Sequence, residues 1–162
     1  MTAPDASRIV EWEPRWEQGA IDVVRAVFDE YRFSWDTEDY HRDLFTVAET
    51  YLATGGAFWV LLAEERVVGC IGALDRGDGV VEGERLYLLA ERRGWGEGER
   101  LFRHMIAWAR ERGFERLIGW SDKRFEEAHG LYAKVGMERV GERICDDPDE
   151  SPEWGFALAL RS

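Results

Sequence analysis

What this chain lacks narrows its reading first. No apolar run among its 162 residues is long enough to span a bilayer. Residues 1–10 lack the basic-then-apolar order of a secretory signal, so a soluble, cytoplasmic protein is expected. Cysteine is scarce, and Cys70 and Cys145 stand in no metal-binding or redox spacing. Two free thiols and no metal centre are therefore expected, with one disulfide as an alternative that the spacing does not suggest. Positive charge is also in short supply. Lys and Arg number 21 against 33 Asp and Glu, a formal net charge of −12. That deficit argues against nucleic acid and against an anionic membrane surface as partners. It is compatible with a cationic small molecule or an amine, although acidic surfaces more often serve solubility. Oligomeric state is unreadable from the sequence, and a homodimer is compatible with it.

What is present suits one globular domain over residues 1–162. Hydrophobic residues make up 45% and charged residues 33%, enough apolar material for a core. Weak alternation predicts a strand over Ser7–Glu13, stopped by Pro14. Ile21, Val24, Val27, Phe28 and Tyr31 fall at helical spacing over Glu17–Tyr31. A second helix is predicted from Asp36 to Leu52, with Tyr40, Leu44, Val47, Ala48, Tyr51 and Leu52 on its apolar face. Three strands follow as a meander: Phe58–Ala63, Arg66–Leu74 and Val80–Leu89, turned at Glu64-Glu65 and Gly77-Asp78-Gly79. An amphipathic helix closes at Gly113. A strand over Arg116–Trp120 should lie parallel to its predecessor, since a helix joins them. A helix over Arg124–Val135 and strands over Met137–Ile144 and Trp154–Leu160 complete the order β-α-α-β-β-β-α-β-α-β-β.

The chemistry concentrates between Glu82 and Met137. The apolar run Leu86-Tyr87-Leu88-Leu89 leads into Arg92-Arg93-Gly94-Trp95-Gly96-Glu97-Gly98, a strand entering a helix through three glycines at alternate positions. Such a turn can wrap closely and aim successive backbone N–H groups at an anion such as a pyrophosphate. It is not a dinucleotide-binding G-x-G-x-x-G turn, and it has no Gly-Lys-Ser/Thr of a P-loop. A plain strand-to-helix turn would need one glycine. Upstream, period-two alternation puts Glu82 and Glu84 on one face with Val80, Leu86 and Leu88. Carboxylates there either line a wet cleft, where one could take a proton from an amine, or mark a strand end emerging into solvent. Downstream, Tyr132 lies on the apolar face of its helix, and its hydroxyl could protonate a leaving thiolate. The same position commonly serves packing alone. His129 is a candidate for acid–base work or cofactor contact, but it precedes the apolar pair by two positions, which favours a solvent-facing place. Phe33 and Trp35, in the aromatic stretch Tyr31–Trp35, either plug the core between two helices or wall a pocket.

The series Glu82…Leu86-Tyr87-Leu88…Arg93-x-x-Gly96-x-Gly98…Leu131-Tyr132-x-Lys134-x-Gly136-Met137 resembles the GCN5-related N-acetyltransferase (GNAT) superfamily, over nearly the whole chain. Phe114–Gly136 is similar to members that stand alone or are fused to MarR-type regulators. The resemblance implies an α/β fold with a mixed, mostly antiparallel sheet and helices on both faces. It implies acetyl transfer from acetyl-CoA to a primary amine, small molecule or peptide, by direct attack. Leu86 and Leu88 would meet the acetyl-pantetheine arm in a splay between strands, and the Leu88 N–H would polarise the thioester. Arg93, Gly94, Trp95, Gly96, Glu97 and Gly98 would hold the pyrophosphate, and Glu99, a second negative charge at the turn, is assigned with them to the cofactor site. Glu82 matches the usual base, with Glu84 beside it, and Tyr132 matches the usual acid. Phe33, Trp35, Glu84 and Trp154 are assigned to the acceptor pocket. Two residues depart from the family pattern. Glu97 puts a carboxylate where an aliphatic residue is usual, beside a pyrophosphate or in the core, and Phe125 replaces a frequent Asn. Both departures are compatible with the alternative of a non-catalytic acyl-CoA-binding or sensing domain.

Overall fold

The computed structural model describes residues 3–161, so residues 1, 2 and 162 of the expected domain lie outside it. Seven strands form one sheet: β1 (Ser7–Glu11), β2 (Ala57–Ala63), β3 (Arg66–Gly77), β4 (Val80–Leu88), β5 (Arg116–Asp122), β6 (Glu138–Ile144) and β7 (Pro152–Ala159). Their spatial order is β1-β2-β3-β4-β5-β7-β6. Every adjacent pair is antiparallel except β4 and β5, the parallel neighbours expected from the helical crossover between them. The unbroken apolar run of β2 is buried from Phe58 to Leu62, as a strand covered on both faces requires.

Helix α1 (Glu17–Tyr31) covers one face, where its Phe28 meets Tyr87 of β4 edge to face at 6.1 Å. Helices α2 (Glu97–Glu111) and α3 (Glu126–Lys134) cover the other. There a Cβ on Gly83 would come within 3.2 Å of Met105, and Tyr132 packs on Phe156 of β7 at 5.0 Å. Helices thus lie on both faces of a mostly antiparallel sheet, the architecture that the motifs implied.

The second predicted helix is not one helix. Residues 37–41 form a turn, followed by a 3-10 turn at Arg42–Phe45 and a short π-helical turn at Ala48–Leu52. Short polar side chains compete for the backbone here. The Asp36 carboxylate accepts the N–H groups of Glu38 and Asp39, both at 3.2 Å, and the Thr46 hydroxyl donates back to the Arg42 carbonyl at 2.9 Å.

A second correction lies in β4. Glu84 pairs with Gly72 and Tyr87 with Cys70, so Arg85 and Leu86 together oppose the single residue Ile71. This is a β-bulge, with Arg85 in the left-handed region at φ 57°. The bulge resets the alternation. Glu82, Glu84 and Tyr87 point to the α1 face, while Leu88 reaches the α2 face beside Leu101. The carboxylates therefore do not share a face with Leu88. Beyond the bulge β4 and β5 part. They pair only from Val80–Gly83 to Arg116–Gly119, and the remaining edges of both strands open onto a gap.

Candidate active site

A cavity of about 690 Å³ opens at that gap. Its walls are the free ends of β4 and β5, the glycine turn, the first turns of α2 and α3, and the segment after α1. The glycine turn is built as its sequence requires. Gly94 and Gly96 both have φ 84°, a conformation that strains other residues, and a Cβ on either would meet nothing within 4 Å. Gly96 is the N-cap of α2, and no side chain caps the first N–H groups of that helix. Gly98 lets α2 approach β4, since a Cβ there would already sit 3.4 Å from Leu88. Uncapped amides beside open space fit an anion such as a pyrophosphate.

Four other residues assigned to this turn divide. Arg93 lines the cavity and spans its rim, donating to the Leu88 carbonyl at 2.9 Å and to Glu30 at 2.7 Å. Glu99 also lines it, held by Arg103 at 2.9 Å and Lys134 at 2.6 Å. These bonds keep its carboxyl below the ordinary 4.5. The side chains of Trp95 and Glu97 do not line it; Trp95 lies out in solvent. Glu97 turns inward, away from the turn. It is 6% exposed, takes a two-pronged bond from Arg92 at 2.7 and 2.8 Å, and accepts the Ser7 hydroxyl. Burial raises its carboxyl pKa, but the bonds from Arg92 and Ser7 outweigh this and hold it below 4.5. The Glu97 charge is thus countered by a buried guanidinium and faces away from the turn.

At the gap, the Leu89 N–H donates to Val68 of β3 at 3.0 Å. Because successive N–H groups of a strand point to opposite edges, the Leu88 N–H points into the gap. Leu86 and Leu88 both line the cavity. Glu82 and Glu84 enter from the α1 face as neighbours, each near enough to shift the other's ionisation. Arg76 bonds Glu82 at 2.9 Å and stands 3.9 Å from Glu84. Burial raises the Glu82 pKa, but Glu84 and the bond from Arg76 bring it below its ordinary value. Burial and the Glu82 charge push Glu84 well up. Of the two, Glu84 is thus the more readily protonated and Glu82 the more readily ionised. Tyr132 enters from the opposite face, between Phe102 at 5.3 Å and Phe156 at 5.0 Å. Burial pushes its phenol up to about 12, so it stays protonated at neutral pH.

The residues assigned to the acceptor pocket also separate. Phe33 lines the cavity against Phe125, at 5.6 Å between ring centres. Phe125 therefore joins an aromatic wall. Trp35 does not line the cavity; it stacks on the buried His41 at 3.8 Å and plugs the core. Trp154 also lies off the cavity, sandwiched by Lys123 at 3.9 Å and Arg139 at 4.2 Å. His129, expected in solvent, is half-buried with Nε2 3.1 Å from the Ser121 hydroxyl on the cavity wall. Sequence reading also passed over Arg85 and Asp43. Arg85 is 9% exposed and donates to Asp43 at 3.0 and 2.7 Å, while Asp43 also accepts the Tyr51 hydroxyl at 2.6 Å. An arginine inside an otherwise apolar strand end was the available signal.

Comparison with known proteins agrees with this geometry. The family model described as "Acetyltransferase (GNAT) family" matches residues 21–137. Human N-acetyltransferase 8B is 32% identical over 106 residues, covering 62% of this chain and 47% of that protein. Zebrafish (Danio rerio) N-acetylaspartate synthetase is 32% identical over 104 residues, covering 63% and 37%. The chain spans about half the length of the curated relatives it matches, or less. A GNAT-family acetyltransferase from Staphylococcus aureus Mu50 superposes with a TM-score of 0.86 at 19% identity, over 96% of this chain and 100% of that one. An aminoglycoside 6'-N-acetyltransferase complexed with coenzyme A gives 0.74 at 17% identity, over 96% and 98%. With splayed strands, an uncapped glycine turn and a family match over most of its length, the chain belongs to the GNAT acetyltransferase family.

Proposed function

We propose that the chain transfers an acetyl group from acetyl-CoA to a primary amine, on a small molecule or a peptide, by direct attack. One observation carries the reading. The gap between β4 and β5 has the free Leu88 N–H on its edge, two coupled carboxyls entering from one face and a protonated tyrosine from the other. Bound acetyl-CoA would supply the activated acyl group. The amides at Gly94–Gly98, with Arg93, would hold its pyrophosphate, and the open strand edges would pair with the amides of its arm. The Leu88 N–H would stabilise negative charge developing on the carbonyl oxygen. The Glu82–Glu84 pair would accept the proton of the attacking amine, and the Tyr132 hydroxyl would return one to the departing thiolate.

A free-thiol release assay with acetyl-CoA over a panel of primary amines tests this, alongside calorimetric titration of acetyl-CoA. Amine-dependent release with saturable binding is expected. Binding without release by any amine would leave a non-catalytic acyl-CoA-binding domain. That alternative drew on Glu97, whose side chain now lies outside the cavity. Absence of acetyl-CoA binding would remove both.

A further inference from the structure

The bulge in β4 has a chemical effect of its own. In a regular strand, residues 84 and 85 would point to opposite faces. Here the extra residue puts both side chains on the α1 face. Glu84 lies opposite Gly72 there, and Arg85 reaches Tyr40 and Asp43. Glu84 and Arg85 thus both contribute to the cavity wall, at the point where β4 leaves β5.

The donors of Arg85 are only partly used. Its Nε–H goes to Asp43 at 3.0 Å, and its Nη2 donates to Asp43 at 2.7 Å and to the Tyr40 carbonyl at 2.7 Å. Nη1 is buried and has no partner. A guanidinium nitrogen left without an acceptor is costly, and the cost is relieved when a ligand brings one. Asp43 is taken up by Arg85 and by the Tyr51 hydroxyl, which fixes the guanidinium in place. The strained φ of 57° at Arg85 is the kind of local cost that persists where surrounding contacts over-determine a position.

Charge at this end of the cavity is close to balanced. Arg85 is offset by Asp43 and Glu82 by Arg76, while burial and the Glu82 charge favour the neutral form of Glu84. A polycation would gain little here, although the chain as a whole is acidic. A zwitterion, with one positive and one negative group a few bonds apart, matches the neighbouring Glu82–Glu84 pair and Arg85.

We infer that the acceptor is an amine bearing a nearby carboxylate, an amino acid or a compound built on one, whose carboxylate is bound by Arg85 Nη1 while its amine faces Glu82 and Glu84. This rests on the acetyl-transfer reading of the same cavity. It makes Arg85 a specificity-determining residue and explains why the base and the cation are consecutive in the sequence.

The test compares each free amino acid with its own carboxamide and with the matching decarboxylated amine, in the thiol-release assay. The free acids should exceed their amides by about 100-fold or more in kcat/KM, as expected when a buried polar group loses its designed partner. The amide's less basic amine is the readier nucleophile, so chemistry alone favours the opposite order. Arg85→Gln should bring the acid-to-amide ratio near unity, chiefly through KM, with the calorimetric affinity for acetyl-CoA unchanged. Should Arg85→Gln fold poorly, Arg85→Gln paired with Asp43→Asn removes both charges together, and the wild-type ratio needs no variant. Equal rates for acids and amides, or polyamines as the best acceptors, would overturn the assignment. If no amine is turned over, the acetyl-transfer reading falls by itself. Melting-temperature shifts of the CoA-saturated protein by amino acids and their amides still read the carboxylate site. A shift by acids alone, lost in Arg85→Gln, supports it; no discrimination refutes it.

Discussion

Glu97 shows how one side chain changes meaning when its direction is known. Read in the sequence it stands in the middle of the anion-binding turn; in the structure it is paired with Arg92 behind that turn. The two side chains are 7% and 6% exposed, so removing one leaves the other charged and dry. Glu97→Ile is expected to lose about 3 kcal/mol of stability in urea titration, because an unpaired buried charge remains. Its acetyl-CoA affinity should stay within about twofold of wild type; a stable variant with impaired binding would contradict this. The pH dependence follows from the lowered carboxyl. Its stabilisation is present above the ordinary value of 4.5 and is lost as pH falls through the lower folded value. The stability gap between wild type and Glu97→Gln should therefore close as acid is added below 4.5. At the gap, Tyr132→Phe should lower kcat about 100-fold with acetyl-CoA affinity little changed, the size usual for a positioned acid. The raised Glu84 carboxyl gives the matching base limb. With saturating amine, kcat should fall as acid titrates the Glu82–Glu84 pair, and Glu84→Gln should displace the midpoint of that fall.

At the scale of the element, the turn and the bulge do different work. The turn is legible residue by residue, since only glycine takes φ 84° at Gly94 and Gly96 without strain. Gly96→Ala would force an alanine into the left-handed region at the start of α2, costing about 1–2 kcal/mol. It would also put a methyl group into the space the turn leaves open. Acetyl-CoA affinity should fall at least about tenfold, more than that strain alone accounts for, and calorimetry against a denaturation curve separates the two effects. The bulge was not legible. Leu86-Tyr87-Leu88 continues an alternating pattern, and nothing in the residues announces that Arg85 adopts a positive φ. The 37–52 segment failed for a related reason. Its apolar spacing is helical, but Asp36 and Thr46 bond to the nearby backbone and break the helix into turns.

Over the whole molecule, the net charge of −12 and the chemistry of the cavity prove to be separate matters. The end of the cavity proposed for the acceptor is locally balanced by Arg76 and Arg85, so its charge does not follow that of the whole chain. A ligand that binds only the folded chain stabilises all of it by mass action. Acetyl-CoA at about 100 times its Kd should add about 2.7 kcal/mol, a rise of several degrees in the melting temperature. Amine alone at the same concentration should give less, because with the CoA gap open it binds more weakly.

The sequence by itself determined the sheet-and-helix order outside residues 36–52, the glycine turn, and the residue types proposed for a base and an acid. Each of these is written in local spacing: period two, period three to four, and glycines where φ must be positive. Only the tertiary structure decided where side chains point once that spacing is interrupted. It sent Glu97 to Arg92, took Trp35 and Trp154 out of the cavity, and brought Arg85 beside Glu84. The physical reason is that a one-residue bulge or a half-turn of helix reverses every direction after it. Which reversal is adopted depends on partners such as Asp43 that are distant in the chain.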